Sequence, residues 1–118
     1  MPVKLARMTI SEFQRLIDKL YGAKDEARGQ AATFQWFVEE VGELAQALRK
    51  GDKKAVREEF ADVFAWLATL ANMNGVELAD AVSAKYPGVC LKCDATPCVC
   101  KEAKEKRRAG RQRPKGKR

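Results

Sequence analysis

The chain has 118 residues, which is enough for one compact domain but too short for a second core of useful size. Apolar residues make up 46% of it, and the helix formers Ala, Leu, Glu and Lys dominate the first 86 positions, so the composition favours an all-α fold. The absence of histidine excludes an imidazole base, a Ser-His triad and a histidine-ligated metal. Hydrolytic chemistry in the helical part would therefore have to use carboxylates, lysines and metal ions.

The net charge of +7 is concentrated at one end of the chain. Residues 101–118 hold ten Lys/Arg and two Glu, whereas the preceding hundred residues are close to neutral. We expect a helical domain over 1–88, a four-cysteine knuckle over 89–100 and a basic tail over 101–118. The tail has no apolar residue larger than alanine, which predicts disorder. Its charge could attract nucleic acid weakly, or could serve only solubility.

No targeting segment is recognisable, because "MPVKLARMTISEF" has no continuous apolar stretch before its polar residues. The longest apolar run, Val63 to Ala71, is far shorter than the roughly 20 residues that a bilayer span needs. The sequence therefore predicts a soluble cytoplasmic protein without a membrane partner.

A first helix is predicted from Thr9 or Ser11, either of which can cap it. Glu12 follows Thr9 at the spacing of a capping box. We expect this helix to end at Tyr21-Gly22 and the polar segment "AKDEARG" to connect it to the next helix.

Three further helices follow, with turn residues between them. The second is predicted over Gln30 to Lys50 and the third from about Lys53 to Met73, separated by Gly51-Asp52 as a stop and a cap. Asn74-Gly75 ends the third helix, and a short fourth helix is expected from Val76 to about Lys85. The short connection makes the second and third helices antiparallel neighbours.

Acidic residues lie among the apolar positions of this hairpin. Glu40 and Glu43 share one helix face because residues three apart do so, and Glu59 and Asp62 share a face of the next helix. Four carboxylates that converge in a partly buried groove need a cation, and oxygen ligands favour Mg²⁺ or Mn²⁺. The alternative is an ordinary solvated acidic face.

These residues carry a family resemblance. "EEVGE", fifteen intervening residues and "EFAD" resemble the EExxE…ExxD signature of the MazG-like all-α nucleoside triphosphate pyrophosphohydrolases, and "GVELADAVSAK" resembles their closing helix. The resemblance implies a four-helix bundle that hydrolyses a nucleoside triphosphate to the monophosphate and pyrophosphate, usually for sanitation of the nucleotide pool. It also implies a homodimer or higher oligomer, which the surplus of apolar residues on the hairpin independently favours.

The resemblance further implies a role for each matching residue. Glu39 would orient or deprotonate the attacking water, and Lys85 would contact phosphate. The magnesium ligands would be Glu40, Glu43, Glu59 and Asp62. Trp36, one turn before Glu40, could stack on a base, although core packing is the commoner use of such a residue.

The segment "CLKCDATPCVC" contains all the cysteines of the chain, with the spacing C-x2-C-x4-C-x-C. In a cytosolic protein such spacing favours metal over disulfides, and four thiolates suit tetrahedral Zn²⁺ in a structural role. The predicted zinc ligands are Cys90, Cys93, Cys98 and Cys100. A redox-active or disulfide-bonded pair is the alternative.

Two other functions compete with the enzyme. One is a zinc-knuckle protein that binds nucleic acid through its tail and uses the helices only for dimerisation. The other is a helical scaffold without catalytic activity.

Overall fold

The computed structural model describes residues 7–101. This part of the chain contains four α-helices and no strand, and the predicted all-α fold is confirmed. The helices are α1 (Ile10–Arg28), α2 (Gln30–Lys50), α3 (Lys53–Met73) and α4 (Leu78–Lys85). The basic tail, except for Lys101, lies outside the described residues.

Helix α1 begins where predicted and ends seven residues later than predicted. Thr9 accepts a hydrogen bond from the amide of Glu12 at 3.0 Å, and the Glu12 carboxylate accepts one from the amide of Thr9 at 2.9 Å. The expected end at Tyr21-Gly22 and the connector "AKDEARG" are wrong, because the helix continues through these residues to Arg28. Gly29, whose φ of 89° suits only glycine, makes the break instead.

Helices α2 and α3 form the predicted hairpin. Gly51 adopts a left-handed conformation with φ of 76° and donates its amide to the carbonyl of Ala47 at 2.9 Å. Asp52 then caps α3 by accepting hydrogen bonds from the amides of Lys54 and Ala55. α3 packs chiefly against α2 and also against α1, so it is the central helix of residues 7–82.

The interior of this helical part is small. The buried apolar side chains of the described residues are Ile17, Ala47, Ala68 and Ala71. Gln14 of α1 is also buried, and its amide donates to Asn72 at 3.0 Å and to the carbonyl of Val76 at 2.7 Å. Its oxygen accepts from the amide of Leu78 at 2.9 Å, so this one side chain ties α1 to the end of α3 and the start of α4.

The apolar side of α2 does not face inward as a whole. Phe37 and Leu44 are half-buried, but Phe34, Val41 and Leu48 are exposed. Three large apolar residues of α3 are exposed as well, namely Phe60, Phe64 and Leu67, and Phe60 keeps 55% of its surface accessible. The predicted apolar surplus on the hairpin is therefore present in the folded chain.

The described residues divide into two compact units, 7–82 and 83–101. The first holds the three long helices. The second holds the end of α4 and the cysteine segment, whose only regular element is that last helical turn. No helix in 7–101 is both long enough and apolar enough to span a membrane.

Candidate functional site

The α2–α3 hairpin brings three carboxylates together. Glu40 and Glu43 lie one turn apart on α2, and Glu59 faces them from α3. One oxygen from each of the three lies within 4.8 Å of the others. The i, i+3 spacing and the short antiparallel turn together account for this convergence.

Two oxygens of this acidic cluster (Glu40, Glu43 and Glu59) are buried without a hydrogen-bond donor, namely Glu40 Oε1 and Glu59 Oε1. A buried carboxylate oxygen without a partner is costly, so a proton or a cation is required at this position. A solvated acidic face would instead leave all of its oxygens open to water.

The electrostatics of the metal-free cluster favour a proton on Glu40. Burial raises the pKa of Glu40 to about 7, and the adjacent Glu59 carboxyl contributes next. The negative charges of Glu43 and Asp62 raise the pKa further. A divalent cation would reverse these effects by supplying the positive charge that the cluster lacks.

The remaining acids of the predicted site lie at its edge. Asp62 is exposed and is not one of the three clustered residues, although its charge acts on Glu40. Glu39 is also exposed and lies next to Glu40 on α2, about 100° round the helix. Glu40 and Glu59 are thus half-buried, whereas Glu39, Glu43 and Asp62 are exposed.

The two tryptophans stack on each other. The rings of Trp36 and Trp66 are 6.2 Å apart with an interplanar angle of 17°, and Trp36 keeps about half of its surface exposed. The Arg28 guanidinium lies 4.9 Å from the centre of the Trp66 ring, at cation-π distance. This part of the hairpin therefore presents a flat aromatic surface, with a cation on one ring.

Sequence reasoning missed the residues that hold Arg28. Its guanidinium donates to Asp25 at 3.1 Å and to Thr33 at 3.0 Å, and buried Asp25 also accepts from Thr69 at 3.2 Å. The sequence predicts a polar connector at Asp25 and Arg28. Threonines at interior helix positions were the available signal of a buried polar network.

Lys85, the predicted phosphate contact, ends α4 and belongs to the 83–101 unit. It is exposed, and its Nζ lies 5.9 Å from the centre of the Tyr86 ring. The lysine is accessible, and its role at a phosphate stays a prediction.

The four cysteines form a second cluster. Each Sγ lies within 4.8 Å of the other three, and all four are free thiols. Backbone amides of Cys93 and Lys92 lower the pKa of Cys90 to about 6, whereas the neighbouring sulfur of Cys98 is the main cause that raises the pKa of Cys100 to about 12. Without a cation the four thiols cannot all ionise together.

One of two comparisons with known proteins gives a match, and it covers the hairpin. A family model described as the MazG nucleotide pyrophosphohydrolase domain matches residues 28–93. The match contains both long helices of the hairpin and the acids Glu39, Glu40, Glu43, Glu59 and Asp62. A comparison with curated proteins finds no match.

Proposed function

The chain belongs to the MazG nucleotide pyrophosphohydrolase family, and from this premise we propose a Mg²⁺-dependent hydrolase that converts nucleoside triphosphates to monophosphates and pyrophosphate. The observation that carries the proposal is the acidic cluster of the hairpin, with two buried oxygens that lack a donor. Nucleotide-pool sanitation is the role that we infer for this activity.

The donor set fits a hard divalent cation. Carboxylate oxygens are the ligands that Mg²⁺ and Mn²⁺ prefer, and thiolate or imidazole is absent from the hairpin. We assign the ligand role to Glu40, Glu43, Glu59 and Asp62. Bound there, the cation would supply Lewis-acid stabilisation of phosphate oxygens and a lowered pKa of a water molecule.

Glu39 is the residue that we assign to the attacking water. Its carboxylate is exposed beside the cluster and is not among the three clustered acids, so it is free to accept a proton from water. A carboxylate suffices as the base when the water is already acidified, which is consistent with a chain that has no histidine.

The aromatic surface supports a site for the base. Trp36 is half-exposed, begins the turn before Glu40 and is held by its stack on Trp66. A flat ring one helical turn from Glu40 can stack on a nucleobase while the phosphates reach the acids. We assign phosphate binding to Lys85 on the strength of its match to the family's closing helix.

We also propose that the enzyme works as a homodimer or a larger assembly. One exposed stripe of α2 carries apolar residues at helical spacing, namely Phe34, Val38, Val41 and Leu48. Large apolar residues of α3 are also exposed. Three of the four buried apolar side chains in the described residues are alanines, so a single copy hides little apolar area. A second copy that covers this stripe would supply the missing core.

Substitution of the acids tests the proposal directly. Glu43→Gln and Asp62→Asn should each abolish Mg²⁺-dependent release of pyrophosphate while circular dichroism stays that of the parent. Glu39→Gln should retain metal binding in calorimetry and lose turnover. Glu58→Gln is the matched control, because Glu58 is exposed on α3, the helix of Asp62, with only a surface pair to Lys54 at 3.5 Å. Full turnover in both Glu43→Gln and Asp62→Asn would overturn the assignment.

A further inference from the structure

Residues 88–101 fold without a hydrophobic core. Val89, Leu91 and Val99 are all exposed, with 71% of Val99 accessible, and no residue of the 83–101 unit is buried. The segment nevertheless has a defined path, with backbone hydrogen bonds from Cys90 to Ala95 at 3.0 Å and from Asp94 to Cys90 at 2.7 Å. Such a short chain cannot be stabilised by burial, so another interaction must hold it.

The four sulfurs are the centre of this segment. Sγ of Cys90 and Sγ of Cys100, ten residues apart in sequence, are separated by 3.8 Å. A tetrahedral site with zinc–sulfur bonds of about 2.3 Å has sulfur–sulfur edges of about 3.8 Å, so this pair lies at the separation of two ligands of one ion. All six sulfur–sulfur separations stay within 4.8 Å.

Backbone amides are directed at the sulfurs as they are in thiolate sites. Lys92 donates to Cys90 Sγ at 3.4 Å, and Val99 donates to Cys93 Sγ at 3.3 Å. The amide of Cys100 lies 3.3 Å from Cys98 Sγ. Three of the four sulfurs thus accept a backbone hydrogen bond, the kind of outer contact that orients ligands and stabilises their negative charge.

We propose that these four thiolates bind one Zn²⁺ and that the ion is what folds residues 88–101. Starting from four protonated thiols, binding exchanges four S–H bonds for four Zn–S bonds and releases four protons, with no change in oxidation state. The site then carries a charge of −2. The three lysines and one aspartate of residues 83–101 supply +2, which offsets it.

The site is closed and therefore structural. Four protein ligands leave no position for water or substrate, so hydrolysis at this ion is excluded. The proposal does not depend on the activity of the carboxylates, because the ligands and the carboxylates belong to different units of the chain.

Metal content of the full-length protein, purified without oxygen and without added metal, tests the proposal. We expect about one zinc per chain by elemental analysis, and replacement by Co²⁺ should give the visible spectrum of a tetrahedral thiolate complex. The double variant Cys90→Ser, Cys98→Ser should lose the zinc and keep its helical circular dichroism. Glu43→Gln should keep the zinc, which separates this site from the acidic cluster.

Limited trypsin digestion gives a second readout that does not involve activity. Lys92 lies between two ligands, so the bond after it should resist cleavage in the zinc-loaded protein and become at least about tenfold more sensitive after chelation. Four free thiols with no bound metal, stoichiometric iron in place of zinc, or equal cleavage with and without chelator would each overturn the proposal.

Discussion

The pH dependence of metal binding follows from the raised pKa of Glu40. With a pKa of about 7, roughly nine in ten Glu40 carboxyls carry a proton at pH 6 and only about one in ten at pH 8. Because a ligand carboxylate must be ionised, the apparent affinity for Mg²⁺ should be about tenfold higher at pH 8 than at pH 6. About 0.9 protons should be released per ion at pH 6, and about 0.1 at pH 8.

Isothermal titration calorimetry with Mg²⁺ or Mn²⁺ measures both quantities, when each pH is run in two buffers of different ionisation enthalpy. Glu58→Gln, which changes an exposed glutamate of α3 outside the acidic cluster, should leave the pH dependence unchanged. Glu40→Gln should bind more weakly and lose most of the dependence between pH 6 and 8. Equal affinity at the two pH values, with no proton release at pH 6, would refute the argument.

The raised pKa of Glu40 also makes the stability of the metal-free protein depend on pH. Glu40 has a folded-state pKa above its unfolded value of 4.5, so its stabilising contribution is complete below about pH 4.5 and is lost as the pH rises through about 7. Mg²⁺ should therefore raise the melting temperature more at pH 8 than at pH 6. A larger increase in melting temperature at pH 6 than at pH 8 would contradict this prediction.

Three further predictions concern the assembly, the buried network and the aromatic surface. Phe60→Lys should shift the protein toward monomers in light scattering coupled to size exclusion, whereas Leu20→Lys, equally exposed on α1, should not; an unchanged mass for Phe60→Lys would contradict the proposed interface. Asp25→Ala should lower the free energy of unfolding, measured by urea denaturation, by about 3 kcal/mol, because Arg28 and Thr69 lose their shared partner. A loss below about 0.5 kcal/mol would contradict the role of this carboxylate. Trp36→Ala should raise KM for the triphosphate about tenfold with kcat little changed, and an unaltered KM would remove this ring from the substrate site.

The end of α2 and the start of α3 were predictable from the sequence, because local signals and tertiary packing agree at this turn. Gly51 supplies the left-handed stop and Asp52 supplies the cap, and neither depends on distant residues. The end of α1 was not predictable in this way. A glycine inside a helix costs only about 1 kcal/mol, and the interactions of Asp25 with Arg28 and Thr69 favour continuation beyond Gly22.

The convergence of the carboxylates followed from spacing, but their burial did not. Glu40, Glu43 and Glu59 were placed together by the i, i+3 rule and the short hairpin. The rotation of each helix about its axis decides that Glu40 and Glu59 are half-buried while Glu43 and Asp62 are exposed. That rotation depends on how the three long helices pack against one another, which the sequence pattern does not specify.

For the cysteine cluster, the meeting of the side chains was predictable from the sequence, but their surroundings were not. Its spacing alone indicated that the four sulfurs would meet, because C-x2-C and C-x-C turns leave little freedom for their side chains. The lack of any buried residue in 83–101 could not be anticipated from a segment that contains Val89, Leu91 and Val99.

Product analysis tests the central claim most directly. The full-length protein would be incubated with Mg²⁺ and a panel of canonical and modified nucleoside triphosphates, with phosphorus NMR to identify every product and Asp62→Asn as the inactive reference. The account predicts equal amounts of monophosphate and pyrophosphate, formed only by the parent protein. Diphosphate with inorganic phosphate, or turnover that persists in Asp62→Asn, would contradict it.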